Sequence, residues 1–393
     1  MVRLRAGHPF CYPGPMDNIT HTLVGAALAQ TGLKRWTPLA RTALMLGANL
    51  PDLDIISGLF GNSAYLEHHR GITHALIALV PQAALLAGSL DAGSRWWQRR
   101  RSDLPAQPAR FLPLFALSLL AIVTHPLLDF TNSYGWRPFL PFSRNWAYGD
   151  IAFVIDPWVW ILLGGGLCLA TARTRLRLIA WSAFFAVLAV PILFFDGAGL
   201  PLKLGWVGLV LLTLMLRAVL NLDESQGFVL LRVVLLVLLA YFGALTWLHH
   251  KALSWLAAAA PTLAQGQTVT QVDALPVPLN PLQWTAVIST DQGYCLIQLR
   301  LYSQTVPELN ASARRFARAS GTLDAIAGAA QMPAVQTFLR FARYPVIEAS
   351  RRNDQTTEVE IRDARFMDLS GRAQNSFRVH IRLDQNLRPV LEK

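Results

Sequence analysis

The sequence predicts an α-helical multi-pass membrane domain of about six to eight helices, followed by a small soluble α+β domain. Three observations support this organisation. Of the 393 residues, 53% are hydrophobic and only 15% are charged, whereas soluble domains carry about 25% charged residues. Apolar stretches near the length of about 20 residues that a bilayer requires recur between residues 72 and 247. Beyond about residue 262, strand-like alternation replaces the long apolar runs.

Six apolar segments have the length and composition of membrane-spanning helices. They cover residues 72–90, 111–128, 151–172, 178–195, 204–220 and 228–247. Two earlier segments, residues 19–33 and 39–50, are shorter and rich in Ala and Gly. Tilted half-helices, re-entrant pieces and interfacial helices all remain open for these two, which gives the range of six to eight.

The remaining stretches set the expected domain boundaries. Residues 1–15 form an N-terminal extension that lacks the apolar run of a secretory signal, and Met16 is an alternative start of the chain. Residues 16–260 are assigned to the membrane domain, residues 261–283 to a proline-marked linker and residues 284–393 to the α+β domain. The three cysteines are scattered, which indicates neither a disulfide framework nor a thiolate metal site.

The C-terminal domain shows both strand and helix patterns. Alternation of apolar and polar residues predicts strands at residues 284–290, 294–302, 357–362 and 377–383. Helical patterns are expected at residues 308–317 and 332–341. The mixture indicates an α+β fold.

Basic residues are distributed unevenly over the connections between the apolar segments. Thirteen fall in alternate connections, namely Lys34, Arg35, Arg41, Arg95, Arg99, Arg100, Arg101, Arg110, Arg173, Arg175, Arg177, Arg217 and Arg232. The intervening connections carry only Arg70, Arg137, Arg144, Lys203 and Lys251. The positive-inside rule places the first set in the cytoplasm and the α+β domain outside the cytoplasm. Because this topology explains the net charge of +11, no nucleic-acid partner is expected.

Acidic and imidazole side chains gather at the opposite, non-cytoplasmic ends of the apolar segments. They belong to short clusters that contain His21, Asp52, Asp54, His69, His74, His125, Asp129, Asp150 and Asp156. Uncompensated ionisable groups near hydrocarbon are costly, so a chain that gathers them on one side is expected to use them together. Neutral imidazole and carboxylate are ligands for zinc, manganese or iron. The clusters therefore predict a site for one or two divalent ions, with zinc as the first candidate.

Residue spacing supports shared sites within two of the clusters. Asp52 and Asp54 lie two positions apart, which places both carboxylates on one face of an extended segment and suits two neighbouring ions. His125 and Asp129 lie four positions apart, which places both on one face of a helix. A role in capping or turn formation remains open for the Asp52 and Asp54 pair.

Four segments resemble the motifs of a known family. Residues 16–21 (MDNITH), 50–54 (LPDLD), 69–74 (HRGITH) and 125–129 (HPLLD) together look like the YdjM-like family of bacterial inner-membrane metal-dependent hydrolases, also described as LexA-regulated. The resemblance covers about residues 16–160, and the same elements are more distantly similar to zinc-dependent phospholipase C. It implies a multi-spanning membrane hydrolase with the matching positions at His21, Asp52, Asp54, His69, His74, His125 and Asp129.

The expected activity is hydrolysis of a phosphoester in a membrane lipid or lipid-linked substrate, since the site opens where headgroups lie. Asp150 or Asp156 is expected to act as general base. Arg70 either binds a substrate phosphate or extends its guanidinium to the membrane interface. Two other functions remain open: a metal-ion or solute transporter that uses the same cluster, and a non-catalytic anchor in which a metal only holds the helices.

Overall fold

The computed structural model describes residues 17–100, 109–195, 199–352, 356–367 and 377–390. The expected N-terminal extension, with the alternative start at Met16, lies outside them. Within the described residues, five helices are long and apolar enough to cross a membrane, and a bent pair of short helices is a candidate for a sixth span. The chain is a multi-pass membrane protein followed by an α+β region, so the predicted fold class is confirmed.

In the described part of the chain, nine α-helices precede the first strand. They are α1 (Asp17–Ala29), α2 (Ala40–Gly47), α3 (Asn62–His68), α4 (Leu76–Arg100), α5 (Phe111–Phe130), α6 (Pro157–Thr171), α7 (Arg175–Leu193), α8 (Leu200–Val219) and α9 (Glu224–Leu263). Short 3-10 segments occupy Leu33–Arg35, Leu50–Phe60 and Ile72–His74. The five candidate spans are α4, α5, α7, α8 and α9.

The bundle has two chemically different ends. The first end carries the predicted ligands, and we call it the site end. α1, α4 and α6 begin there, and α2 and α5 end there. At the other, which we call the basic end, hydrogen bonds from arginines close the connections. Arg110 donates to the carbonyl of Trp36, and Arg217 donates to the carbonyl of Ala172.

The two short N-terminal segments adopt different forms. α1 has 13 residues, fewer than a straight crossing of the bilayer requires. α2 and the 3-10 segment Leu50–Phe60 form a pair bent by 44°, which is a broken span or a re-entrant loop. α1 and α2 approach closely at Gly25, where an added Cβ would lie 2.6 Å from the carbonyl oxygen of Leu44. Only glycine allows this contact without a shift of the backbone.

α6 is shorter than the span expected at residues 151–172. It begins only at Pro157, because Asp156 accepts hydrogen bonds from the backbone N–H groups of Trp158 and Val159 and so caps the helix. Eleven of its fifteen residues are buried, and its neighbours are α1, α7, α8 and α9. A helix this enclosed holds the bundle together from within.

Two four-stranded sheets form the C-terminal domain. The first is an antiparallel meander of β1 (Val269–Pro276), β2 (Gln283–Thr290), β3 (Gly293–Arg300) and β4 (Arg314–Ala317). The second contains β5 (Ala319–Gly321), β6 (Pro345–Arg351), β7 (Thr357–Asp363) and β8 (Arg378–Leu383), with β5 parallel to β6 and the other pairs antiparallel. Three helices accompany the sheets: α10 (Val306–Ser312), α11 (Leu323–Ala330) and α12 (Pro333–Phe341).

The structure differs from the expected helix at residues 308–317. α10 ends at Ser312, and residues 314–317 pair with β3 as the short strand β4. The physical reason is the long-range pairing with β3, which provides hydrogen bonds that a local helical pattern does not reveal.

The segment expected as a linker, residues 261–283, is largely ordered structure. It contains the end of α9, with Pro261 inside the helix, and the whole of β1. The last third of α9 packs Leu256 against Trp284 and its neighbours in the first sheet, so the helix runs directly into the core of the C-terminal domain.

The second sheet and α12 dock on the site end of the bundle. Tyr65 and Tyr134 from the membrane domain share one hydrophobic core with Phe338, Phe341 and Phe377. The C-terminal domain therefore covers the end of the bundle that carries the predicted ligands.

Candidate metal centre

The structure brings all seven predicted metal ligands together at the site end. They form three overlapping groups whose ligand atoms lie within 4.8 Å of one another. The groups are His21 with Asp52 and His125, His74 with His125 and Asp129, and Asp52 with Asp54 and His69. The groups share Asp52 and His125, so they form one continuous cluster.

Chain segments that end or turn at the site end position these side chains. Their places are α1 for His21, the 3-10 segment after α2 for Asp52 and Asp54, the C-cap of α3 for His69, the 3-10 turn before α4 for His74, and the last turns of α5 for His125 and Asp129. The i,i+4 spacing on α5 works as predicted, because it directs both side chains to the same side of the helix.

Four donor atoms lie at the middle of the cluster. The Nε2 atoms of His74 and His125 are 3.1 Å apart. The Oδ1 atom of Asp52 lies 3.3 Å from the first and 3.4 Å from the second. The Oδ2 atom of Asp129 lies 3.3 Å and 3.5 Å from the same two nitrogens. The side chains are 0–7% exposed, so this core is removed from water.

Hydrogen bonds at the outer nitrogens of the two rings fix how they face the core. His125 Nδ1 lies 2.7 Å from the carbonyl oxygen of Ala48, which can only accept, so Nδ1 donates and a neutral ring keeps its lone pair on Nε2. His74 Nδ1 lies 3.1 Å from Asp54 Oδ2, where donation has the same consequence. Two lone pairs and two carboxylates then face one point.

The electrostatics of the core favour a positive charge. Burial lowers the pKa of the His74 imidazole, but hydrogen bonds with Asp129, Asp52 and Asp54 outweigh burial and raise this pKa well above its usual value. A bound cation satisfies the same oxygens and nitrogens that a proton on His74 does.

His21 and His69 flank this core on two sides. The His21 ring stacks on His125 with centroids 3.7 Å apart, and its Nε2 lies 3.6 Å from Asp129 Oδ1. His69 Nδ1 lies 2.9 Å from Asp54 Oδ1, and the Thr73 hydroxyl donates to Asp54 Oδ2 over 2.7 Å. The cluster is thus wide enough to offer donors around two neighbouring points.

Arg70 has neither of its two expected roles. It is 3% exposed, and its Nη2 lies 2.7 Å from Asp129 Oδ1. Nη1 donates to Asn132 Oδ1 over 2.9 Å, and the guanidinium lies over the Tyr134 ring. The structure replaces contact with a phosphate or with the membrane interface by a buried ion pair, in which Arg70 holds a carboxylate of the cluster.

The structure does not bring Asp150 and Asp156 into the cluster, which corrects their expected role as general base. Asp150 Oδ2 lies 2.6 Å from Nη1 of Arg343 in the C-terminal domain. Asp156 caps α6 and accepts a hydrogen bond from the Tyr241 hydroxyl over 2.8 Å. Both carboxylates therefore serve the packing of the molecule.

Sequence reasoning missed the polar neighbours of the cluster. Asn18 donates to Asp52 Oδ2 over 2.7 Å, and the Trp136 indole donates to the carbonyl of His74 over 2.7 Å. Asn18 lies within the first motif segment, which could have suggested it. Nothing local in the sequence indicates the bond of Trp136 to a backbone carbonyl.

Comparison with known proteins finds a matching family model and a relative of the chain. Residues 16–200 match the family model described as YdjM inner membrane protein. The chain is also 29% identical over 156 residues to "Uncharacterized protein YfhP" of Bacillus subtilis (strain 168), a match that covers 37% of this chain and 43% of that protein. No solved structure matches the chain. The resemblance predicted from the four motifs is confirmed, because residues 16–200, a little under half of the chain, match the model of the YdjM inner membrane protein family.

Proposed function

We propose that this protein is a metal-dependent hydrolase of the bacterial inner membrane, with its metal centre at the site end of the bundle. The observation that carries the proposal is the spacing of the four core donors. Ligand atoms about 2.0–2.1 Å from a tetrahedral zinc ion lie about 3.3–3.4 Å from one another, because a tetrahedron's edge is about 1.63 times its centre-to-corner distance. The donors of His74, His125 and Asp129 are 3.1–3.5 Å from one another, as the three corners of one face of such a tetrahedron are. Asp52 Oδ1 lies 3.3 and 3.4 Å from the same two nitrogens.

A second ion has a natural place beside the first. Asp52 belongs both to the core and to the group with Asp54 and His69, so Asp54 and His69 would hold a second ion beside the first with help from Asp52. Zinc is the first candidate for both, and manganese remains possible, because the donors are imidazoles and carboxylates without a thiolate.

When bound, divalent ions would activate a water molecule and stabilise the oxygens of a phosphoester. The protein's own residues orient the donors. Asp54 holds the His74 ring, the carbonyl of Ala48 holds His125, and Arg70 holds Asp129. When an ion occupies the core alone, a proton released in the reaction can pass to Asp54 or His69, whose side chains are 7% and 10% exposed, whereas those of His74 and Asp129 are 0% and 1% exposed.

The surroundings of the site favour a lipid or lipid-linked phosphoester as substrate. The 3-10 segment that carries Asp52 also presents Leu53, Ile56, Leu59 and Phe60, which are 57–84% exposed. Apolar side chains exposed at the end of a membrane bundle are suited to contact with acyl chains. A substrate anchored in the membrane would therefore meet the centre at the level of its headgroup.

The proposed orientation follows from the charges at the basic end. Its lysines and arginines place that end in the cytoplasm by the positive-inside rule. The metal centre and the C-terminal domain would then face the periplasm. Cysteine labelling of the exposed Tyr302, after Tyr302→Cys substitution, should be possible from the periplasmic side of intact cells, and labelling only after lysis would contradict this orientation.

Elemental analysis and phosphodiester turnover of purified protein test the proposal directly. We expect one or two zinc or manganese ions per chain, and we expect His74→Ala to lose at least one ion together with the turnover. His250→Ala is the matched control, because His250 is exposed and lies outside the three ligand groups. Metal-free wild-type protein, or unchanged metal content and turnover in His74→Ala, would reject the proposal.

Metal without any phosphodiester turnover would favour the non-catalytic anchor instead.

A metal-ion carrier is the remaining alternative, and a chain of polar contacts favours it. Thr22 exchanges hydrogen bonds with Asn49, and Asn18 donates to Asp52, so polar groups extend inward from the centre. The basic end beyond them opposes passage of a cation. Zinc uptake into proteoliposomes that contain the protein would revive this function.

A further inference from the structure

A cavity of about 610 Å³ opens at the basic end of the bundle, away from the metal centre. Its size lies within the range of about 300–1,000 Å³ that is common for small-molecule sites. It lies among α1, α2, α6, α7 and the first turn of α9. Since the Thr22 side chain at its inner end exchanges hydrogen bonds with Asn49, a polar contact separates the cavity from the cluster.

The wall of the cavity is apolar and its mouth is basic. Leu23, Leu167 and Ala170 line the wall and are buried, and Trp181 and Phe184 on α7 extend it. The basic residues that line it are Lys34, Arg41, Arg173 and Arg177, against a single acidic residue, Glu224. The lining therefore carries three more positive than negative charges.

Two of these basic groups are available to a ligand. Lys34 is already committed, because its Nζ lies 2.7 Å from Glu224 Oε1. Arg177 donates to the carbonyl of Thr171. Among the described residues, Arg41 and Arg173 form no salt bridge, and both are exposed at the mouth.

The mouth lies where the helices enter the membrane. α2 begins one residue before Arg41, and α7 begins two residues after Arg173. Trp36, Trp96 and Trp97, each 51–52% exposed, lie at this end of the bundle, as aromatic residues do at a membrane interface. A ligand there has its polar part at headgroup level and its apolar part in the wall.

We infer that this cavity binds an anionic glycerophospholipid of the leaflet that contacts the basic end. The phosphate of the headgroup pairs with Arg41 and Arg173 at the mouth, because guanidinium groups match phosphate oxygens in charge and geometry. An acyl chain lies along α1 and α7 against Leu23 and Phe184. The site is independent of the proposed hydrolase activity, since it shares no residue with the metal cluster.

The test measures lipid retained by the full-length, metal-loaded protein. After purification in detergent, the protein is titrated with phosphatidylglycerol or phosphatidylcholine, and bound lipid is counted by native mass spectrometry. We expect one retained phosphatidylglycerol per chain and little phosphatidylcholine. The double variant Arg41→Gln with Arg173→Gln should weaken phosphatidylglycerol binding about 10- to 30-fold, because two interfacial charges are lost. Equal retention by this variant would overturn the inference.

Matched controls separate this site from a general attraction to basic protein surface. Arg99→Gln with Arg100→Gln removes two exposed charges at the same end that do not line the cavity, and binding should be unchanged. Ala180→Trp places a ring in the cavity without changing charge and should weaken binding, whereas Ala183→Trp on the outer face of α7 should not. Displacement of the lipid by millimolar inorganic phosphate would show a free-phosphate site and would also overturn the inference.

Discussion

Arg70 places a full positive charge beside Asp129 at a point where both side chains are at most 4% exposed. Removing two ions from water is costly, and the pair is stable only because further hydrogen bonds complete it. Here the carbonyl of Gly135 and the amide oxygen of Asn132 accept from the same guanidinium. Arg70 itself has a backbone φ of 52°, in the left-handed region, so the surrounding turn holds it against a local conformational preference.

Arg70→Ala should be strongly destabilising. It leaves Asp129 buried without its cation, which costs about 3–5 kcal/mol in comparable cases. We expect a clear fall in the thermal unfolding midpoint in detergent, which differential scanning fluorimetry measures. Arg144→Ala, at an exposed arginine in the connection between α5 and α6, should change stability by no more than about 0.5 kcal/mol. An unfolding midpoint for Arg70→Ala as high as that of Arg144→Ala would refute the buried ion pair.

Asp54→Asn tests whether this carboxylate orients His74. The substitution preserves size but removes the charge that faces His74 Nδ1 and His69 Nδ1. Loss of such an orienting partner weakens metal binding about 10- to 100-fold, which isothermal titration of the metal-stripped protein with zinc should detect. Glu67→Gln is the control, since Glu67 pairs with Arg340 outside the cluster. Equal zinc affinity in the two variants would leave Asp54 without a role in the centre.

The turn between α3 and α4 shows how a secondary-structure element sets the site. It carries His69 at one end and His74 at the other. Gly71 lies between them and packs closely against the backbone of His68. A Cβ added at Gly71 would lie 2.3 Å from the carbonyl oxygen of His68, a backbone contact that a flexible side chain cannot relieve. Glycine is required here for the close approach and not for an unusual φ, which is −89°.

Gly71→Ala should therefore weaken metal binding although Gly71 offers no ligand. The backbone must shift to relieve the contact, and the shift would displace His69 or His74 by an amount that the short donor distances do not tolerate. Metal content per purified chain is the measurement. Gly88→Ala on α4 is the control, because a Cβ added there meets nothing within 4 Å. Gly61→Ser is unsuitable as a control, because Gly61 has a φ of 104°. Full metal content in Gly71→Ala would show that the turn is more adaptable than its contacts indicate.

How much of the structure the sequence could predict differs between elements. Apolar length was a sufficient signal for α5, α7 and α8, because a helix in lipid must satisfy its own backbone hydrogen bonds. The extension of α9 past residue 247 was missed, since its outer part includes His249, His250 and Lys251 and no longer has the composition of a span. For the site, the four motif segments predicted the seven side chains that meet, whereas Asp150 and Asp156 were wrongly expected to join them. The partner of Asp150 could not be predicted, because Arg343 lies 193 positions further along the chain.

On the scale of the whole molecule, Arg343 forms a buried contact between the two domains. Its guanidinium joins Asp150 of the membrane domain to Asp273 on β1, with all three side chains at most 13% exposed. Beside it, Arg340 pairs with Glu67 of α3. Burial raises the pKa of the Glu67 carboxyl, but the hydrogen bond and charge of Arg340 outweigh burial and lower it. The ion pair of Glu67 with Arg340 is therefore complete at neutral pH, and it weakens as the pH falls through the lowered pKa of Glu67.

Arg343→Ala should loosen the C-terminal domain from the bundle. Two buried carboxylates would lose their common cation, a change that costs about 3–5 kcal/mol for a broken buried pair. We expect faster proteolytic cleavage between α9 and β1 in limited digestion of the full-length protein. Arg351→Ala, at the exposed end of β6, is the control and should be cleaved at the wild-type rate. Identical digestion of both variants would mean that the shared apolar core alone holds the domains together.

α9 is a single helix of 40 residues, which corresponds to a length of about 60 Å at 1.5 Å per residue. The hydrocarbon layer is about 30 Å thick, so roughly half of the helix stands outside it. The helix therefore fixes the distance between the C-terminal domain and the bilayer. Inserting one helical turn into its outer half would lift the domain by about 5.4 Å and leave the end of the bundle uncapped.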